Sequence, residues 1–71
     1  VKFGRFLEII KAEGFVFHRQ GSGSHAIYRR ELDGDVRLVT VAAHRMSDEI
    51  KPATLASMIR QTGLPKELFR R

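Results

Sequence analysis

The amino-acid sequence predicts a small α+β fold in the order α-β-β-β-α, with a three-stranded antiparallel sheet and two helices. Three observations carry this. Apolar residues recur at helical spacing near each end, and both runs stop at a glycine. Between them lie three short stretches rich in β-branched and aromatic residues, separated by turn signals. The length of 71 residues leaves room for one domain with a thin core, one that buries roughly 60% of the surface its unfolded chain exposes.

In the first helix, Phe3, Phe6, Leu7 and Ile10 share a face, while Lys2, Arg5, Glu8, Lys11 and Glu13 fall largely elsewhere. Gly14 ends it. If Gly14 is the left-handed residue past the helix, Phe15 packs back on Ile10 as in a Schellman ending. The strands are expected at Phe15–Gln20, His25–Arg30 and Val36–Val41. Gly21–Ser24 and Glu31–Asp35 separate them, and the Asp33-Gly34 pair signals a hairpin. Val39 and Val41 share a buried face, whereas in the middle strand Ala26 and Tyr28 compete with Ile27 for the core. Pro52 opens the second helix, Leu55, Met58 and Ile59 form its apolar stripe, and Gly63 closes it, with Leu64 placed to touch Ile59. Lys51 is a poor N-cap, so Ser47 or Asp48 is a candidate cap for a preceding turn. Pro65–Phe69 is expected to add a final turn. The expected core is Phe6, Ile10, Phe15, Val39, Leu55 and Ile59.

Composition narrows the functional classes. There is no cysteine, which excludes disulfide staples, thiolate metal ligands and a thiol nucleophile. No apolar run approaches the roughly 18 residues of a spanning helix and no signal-peptide pattern is present, so no membrane association is expected and the cytoplasm is the default location. Thirteen Lys+Arg against eight Asp+Glu give a formal charge of +5, which attracts a polyanion, nucleic acid first, or an acidic protein.

The stretch Arg19-Gln20-Gly21-Ser22-Gly23-Ser24-His25 carries the chemistry. Read blandly, it is a flexible hairpin connection before a strand. Read functionally, Gly21, Ser22, Gly23 and Ser24 let the backbone approach a phosphodiester, whose oxygens meet loop N–H groups and Arg19. His25 beside that seat supplies an imidazole, the side chain suited to moving a proton near neutrality. The loop lacks the Gly-Lys-Ser/Thr ending of a nucleotide P-loop and precedes a strand rather than a helix. His44 is either a strand-end histidine bonded to a carbonyl or a functional residue that helps bind phosphate or acts as a second proton-transfer group. His18 reads as a surface strand residue. Arg29, Arg30, Lys51 and Arg60 are further candidates for phosphate contact. The three histidines show no metal-ligand spacing, and Asp33, Asp35, Asp48 and Glu49 read as turn and surface residues, so neither metal nor cofactor is expected.

The ordered set Gly14-Phe15, Arg19-Gln20, Gly23-Ser24-His25, Val39-Thr40-Val41 with His44, and Thr54-Leu55 with Gln61-Thr62-Gly63-Leu64 resembles the HicA-type (YcfA-like) toxins over roughly residues 3–69. The resemblance implies a reduced double-stranded-RNA-binding-domain fold and a metal-independent mRNA interferase, held in check by a HicB-type antitoxin. It also places His25 at the family's catalytic histidine. Two departures stand out. The usual Gln-x-Gly-Ser-His has one more residue here, between Gln20 and Gly23. The usual Val-Pro-x-His is Val41-Ala42-Ala43-His44, and Ala53 replaces the usual glycine before Thr-Leu. Neither removes the histidine.

Metal-free cleavage needs a nucleophile within the substrate, and RNA supplies one in its 2′-hydroxyl. The expected products are a 2′,3′-cyclic phosphate and a 5′-hydroxyl, with His25 as general base or general acid. The competing functions are a non-catalytic RNA-binding module and a protein-interaction subunit.

Overall fold

A computed structural model describes residues 1–70. Helix α1 spans Phe3–Ala12, strands β1, β2 and β3 span Val16–Gln20, His25–Leu32 and Asp35–Ala42, helix α2 spans Pro52–Thr62, and a 3-10 helix spans Lys66–Arg70. The sheet order is β1-β2-β3 with both pairings antiparallel, so the fold is α+β in the expected order.

α1 ends as its sequence predicts. Gly14 takes φ 98°, the Phe15 N–H donates to the Ile10 carbonyl at 2.9 Å, and the Gly14 N–H donates to Lys11 at 3.1 Å. These are the two bonds of a Schellman ending, and Ile10 and Phe15 are both buried. The β2–β3 hairpin is tighter than the sequence suggests. Leu32 pairs with Asp35, leaving a two-residue turn in which Asp33 and Gly34 both have positive φ, the signature of type I′. That turn matches strand twist, so pairing continues to its edge.

The middle strand directs Ala26 and Tyr28 to the core and Ile27 away from it. Register decides this, because Ala26 faces Val41 and Tyr28 faces Val39, the two buried valines of β3. The core lies between this inner sheet face and the helices. It holds Phe6, Ile9 and Ile10 of α1, then Phe15, Ile50, Met58 and Phe69, with Phe6 stacked on Phe69 at 5.0 Å between ring centroids. Leu55 and Ile59 correct the expectation: they are half-buried at the margin of the core, not inside it.

The stretch 46–50, where the sequence signals only a turn, pairs with the start of α1. Phe3 and Gly4 donate their N–H groups to the carbonyls of Asp48 and Met46 at 3.0 and 2.8 Å, and Lys2 bridges to Glu49. A turn does precede α2, closed by the Asp48 N–H on the Arg45 carbonyl at 3.2 Å, and no side-chain bond of Ser47 or Asp48 caps it among the described residues. Instead, loop carbonyls satisfy the exposed donors of α1, and Ile50 is carried into the core.

Candidate active site

The outer face of the sheet is left bare by the helices. Because side chains alternate along a strand, His25, Ile27, Arg29 and Glu31 of β2 share that face. Register adds their neighbours: Arg19 and Thr40 flank Ile27, Val16 and Leu38 flank Arg29, and Ala42 lies beside His25. Val16 and Leu38 are 62% and 49% exposed, so this is an open apolar and basic surface. A bulge between Phe17 and Arg19 contains His18, which is exposed.

The turn Gly21–Ser24 sets His25 at the corner of this face. The Gly21 N–H donates to the His25 carbonyl at 2.8 Å and the His25 N–H donates to the Ser22 carbonyl at 3.2 Å, closing the loop at its mouth. Gly23 has φ 61° at the first central position of the Ser22–His25 turn, where glycine is favoured. The Gln20 Nε2 donates to the Gly23 carbonyl at 3.2 Å and ties down the tip. At Gly21, a β-carbon would lie 3.2 Å from the His25 Cβ, so the absence of a side chain lets the histidine sit against the loop.

The imidazole is oriented by a 2.7 Å contact between its Nδ1 and the Ser22 carbonyl. A carbonyl only accepts, so Nδ1 carries the proton. The other ring nitrogen, Nε2, is then the basic one in the neutral ring, and it has no partner among the described residues. His25 is exposed, so Nε2 is open to a bound molecule. This orienting bond has no sequence signature beyond the three-residue step from Ser22 to His25.

The other candidates divide into two groups. Arg19 and Arg29 share the face of His25, with Arg29 bonded to Glu31 at 2.9 Å. His44 is exposed and lies two residues beyond Ala42, the partner of His25, so it stands at the same end of the sheet. α2 runs antiparallel to β3, with Gln61 bonded to the Thr40 N–H and Ala53 and Thr54 beside Ala42. That direction puts Lys51, which precedes α2, at this end as well. Ser22, Gly23 and Ser24 are exposed in the turn.

Arg30 and Arg60 do not join them. Arg30 points to the core side, donates to the Glu13 carbonyl at 3.0 Å and lies over the Phe15 ring at 5.4 Å, so it closes the end of α1. Arg60 lies on the outer flank of α2. Among the described residues, no three His, Asp or Glu side chains cluster closely enough to hold a metal ion. No described helix is long and apolar enough to cross a membrane.

A three-stranded antiparallel sheet with helices on one side, and a histidine presented from a glycine-serine turn on the other, defines a small α+β protein with one sheet face open to a partner molecule. The family model described as the HicA toxin of bacterial toxin-antitoxin matches residues 4–64, and the chain belongs to that family of toxins. No curated protein and no solved structure matches the chain.

Proposed function

We propose that this toxin is an endoribonuclease that cleaves mRNA without a metal, with His25 as the proton-transfer group, and that a HicB-type antitoxin restrains it. The observation that carries this reading is the 2.7 Å bond from Nδ1 to the Ser22 carbonyl, which leaves Nε2 basic and unpartnered at an exposed corner. Nε2 takes the proton of a ribose 2′-hydroxyl, the 2′-oxygen bonds to the adjacent phosphorus, the P–O5′ bond breaks, and the departing 5′-oxygen takes a proton from water. The imidazolium so formed is stabilised by the same carbonyl. In the reverse assignment, a protonated Nε2 donates to the departing 5′-oxygen while water takes the proton of the 2′-hydroxyl. Arg19, together with N–H groups of the loop, is suited to offset charge on the phosphoryl oxygens. His44 and Lys51 are further titratable and cationic groups toward the same end of the sheet. Arg29 extends the basic surface on which RNA rests, and the exposed aliphatic face beside it suits the antitoxin.

Replacing His25 by alanine tests the proposal. The variant is expected to melt like the parent and to bind RNA, while cleavage of an unstructured RNA in EDTA falls by roughly 10²–10⁴-fold. A matched DNA should remain uncut by both proteins. Equal cleavage by parent and variant would remove His25 from the chemistry. RNA binding without any cutting by the parent would make the chain a non-catalytic RNA-binding module.

A further inference from the structure

On the helical side of the molecule, away from His25, α2 and the 3-10 helix stand apart and leave an open groove of about 940 Å³. The flank of α2 that faces it runs Pro52, Leu55, Ala56, Ile59, Arg60 and Gly63, a stripe at helical spacing over the whole length of the helix. Leu64 and Phe69 continue the apolar floor onto the other wall. The half-burial of Leu55 and Ile59 has its explanation here: their inner surfaces meet the core and their outer surfaces floor the groove. Arg5, Arg60, Lys66 and Arg70 stand along it, and no carboxylate lines it among the described residues. Arg5 has only a loose exposed contact to Glu8 at 3.7 Å, and no ion pair engages the other three among the described residues.

We infer that this groove is a docking site for an acidic amphipathic helix of a partner protein. The accessible floor is aliphatic, because Phe69, its one aromatic residue, is only 2% exposed; it offers no ring on which a base could stack and rewards burial of apolar side chains, so the occupant is protein rather than RNA. A floor that follows one helix for about three turns matches a second helix presenting anchors at i, i+3, i+4 and i+7. The cationic rim selects Asp and Glu beside those anchors and disfavours basic segments. This surface is separate from the proposed catalytic one.

The test uses the isotope-labelled full chain and a synthetic helix of about three turns, with leucines at those four spacings and glutamates elsewhere. Saturable binding is expected, with amide shifts confined to 52–70 and to the neighbourhood of Arg5, and absent from 20–25, unchanged in the His25→Ala variant. A scrambled peptide of equal composition should bind at least about tenfold more weakly. Lys66→Glu combined with Arg70→Glu reverses the rim and should weaken binding by at least about tenfold. Ala56→Arg adds a positive charge while filling the floor, and should also weaken it. Stronger binding by Ala56→Arg, or equal binding of the scrambled peptide, would reduce the site to a diffuse charge effect and overturn the proposal. Absence of saturable binding would overturn it too. Displacement of the peptide by an unstructured RNA that shifts the same amides would reassign the groove to nucleic acid. None of these outcomes touches the cleavage assay, so the two proposals fail separately.

Discussion

At the scale of single residues, His25 gains its character from two neighbours that have little chemistry of their own. The Ser22 carbonyl dictates which ring nitrogen holds the proton, and Gly21 dictates where the ring stands. Gly21→Ala tests the second. Its φ is not positive, so alanine adopts the backbone without strain, yet the new methyl lies 3.2 Å from the His25 Cβ and 3.5 Å from its carbonyl oxygen. The ring must shift by a few tenths of an ångström. Cleavage is expected to drop by about tenfold while melting temperature and RNA affinity hold, because transition-state geometry tolerates far less displacement than folding does. Full activity in this variant would show that the ring need not be held this tightly.

At the scale of elements, the two helices end alike but are finished differently. Gly14 and Gly63 both take left-handed backbone, and each is faced by an arginine from the inner sheet surface: Arg30 at α1, and Arg37, which a β-carbon on Gly63 would touch, at α2. Arg30 and Arg37 are direct cross-strand partners, so like charges sit opposite each other. Their attraction to the two carbonyl-rich helix ends offsets that repulsion. The endings part at the next bond. In α1 the Phe15 N–H reaches the Ile10 carbonyl directly, whereas in α2 the buried Thr62 hydroxyl intervenes. It donates to the Ile59 carbonyl at 2.6 Å and accepts from the Leu64 N–H at 3.1 Å. Thr62→Val keeps the shape but strands both groups, and should lower stability by about 1–3 kcal/mol in a urea titration. Thr62→Ser should retain most of it. Equal loss in both variants would assign the effect to the missing methyl instead.

At the scale of the whole molecule, one layer of apolar side chains joins the helices to β2 and β3, with every residue of β1 exposed, and its thinness makes each member count. Ile10 is fully buried between sheet and helices. Ile10→Ala should remove about 2–5 kcal/mol, a large share of what a chain this short has. Thermal or urea unfolding would measure it, and a loss below about 1 kcal/mol would mean that the layer repacks. The exposed ion pairs, such as Arg29 with Glu31 and Arg37 with Asp35, contribute little beside this. The same architecture yields two unlike surfaces: a bare sheet face with His25 at its corner, and a grooved helical side with a cationic rim.

What the sequence by itself determined is local. Periodicity and glycine endings marked both helices, the Asp33-Gly34 pair marked the hairpin, and glycine-serine before His25 marked the candidate site. These are properties of a few consecutive residues and their φ preferences. The bond from His25 to Ser22 is local too, but depends on a turn conformation that composition does not specify. Tertiary structure decided the rest. Which face of β2 is buried follows from its register with Val39 and Val41, contacts set by strands meeting, so Ile27 turned outward where sequence left it open. Arg30 and Arg60 are cations like Arg19, and only the packing of helix ends and flanks separates them from the sheet face. Leu55 and Ile59 carry the same apolar signal as a core residue. Their half-burial follows from the groove they line together with Leu64 and Phe69, whose ring stacks on Phe6 from far away in the chain.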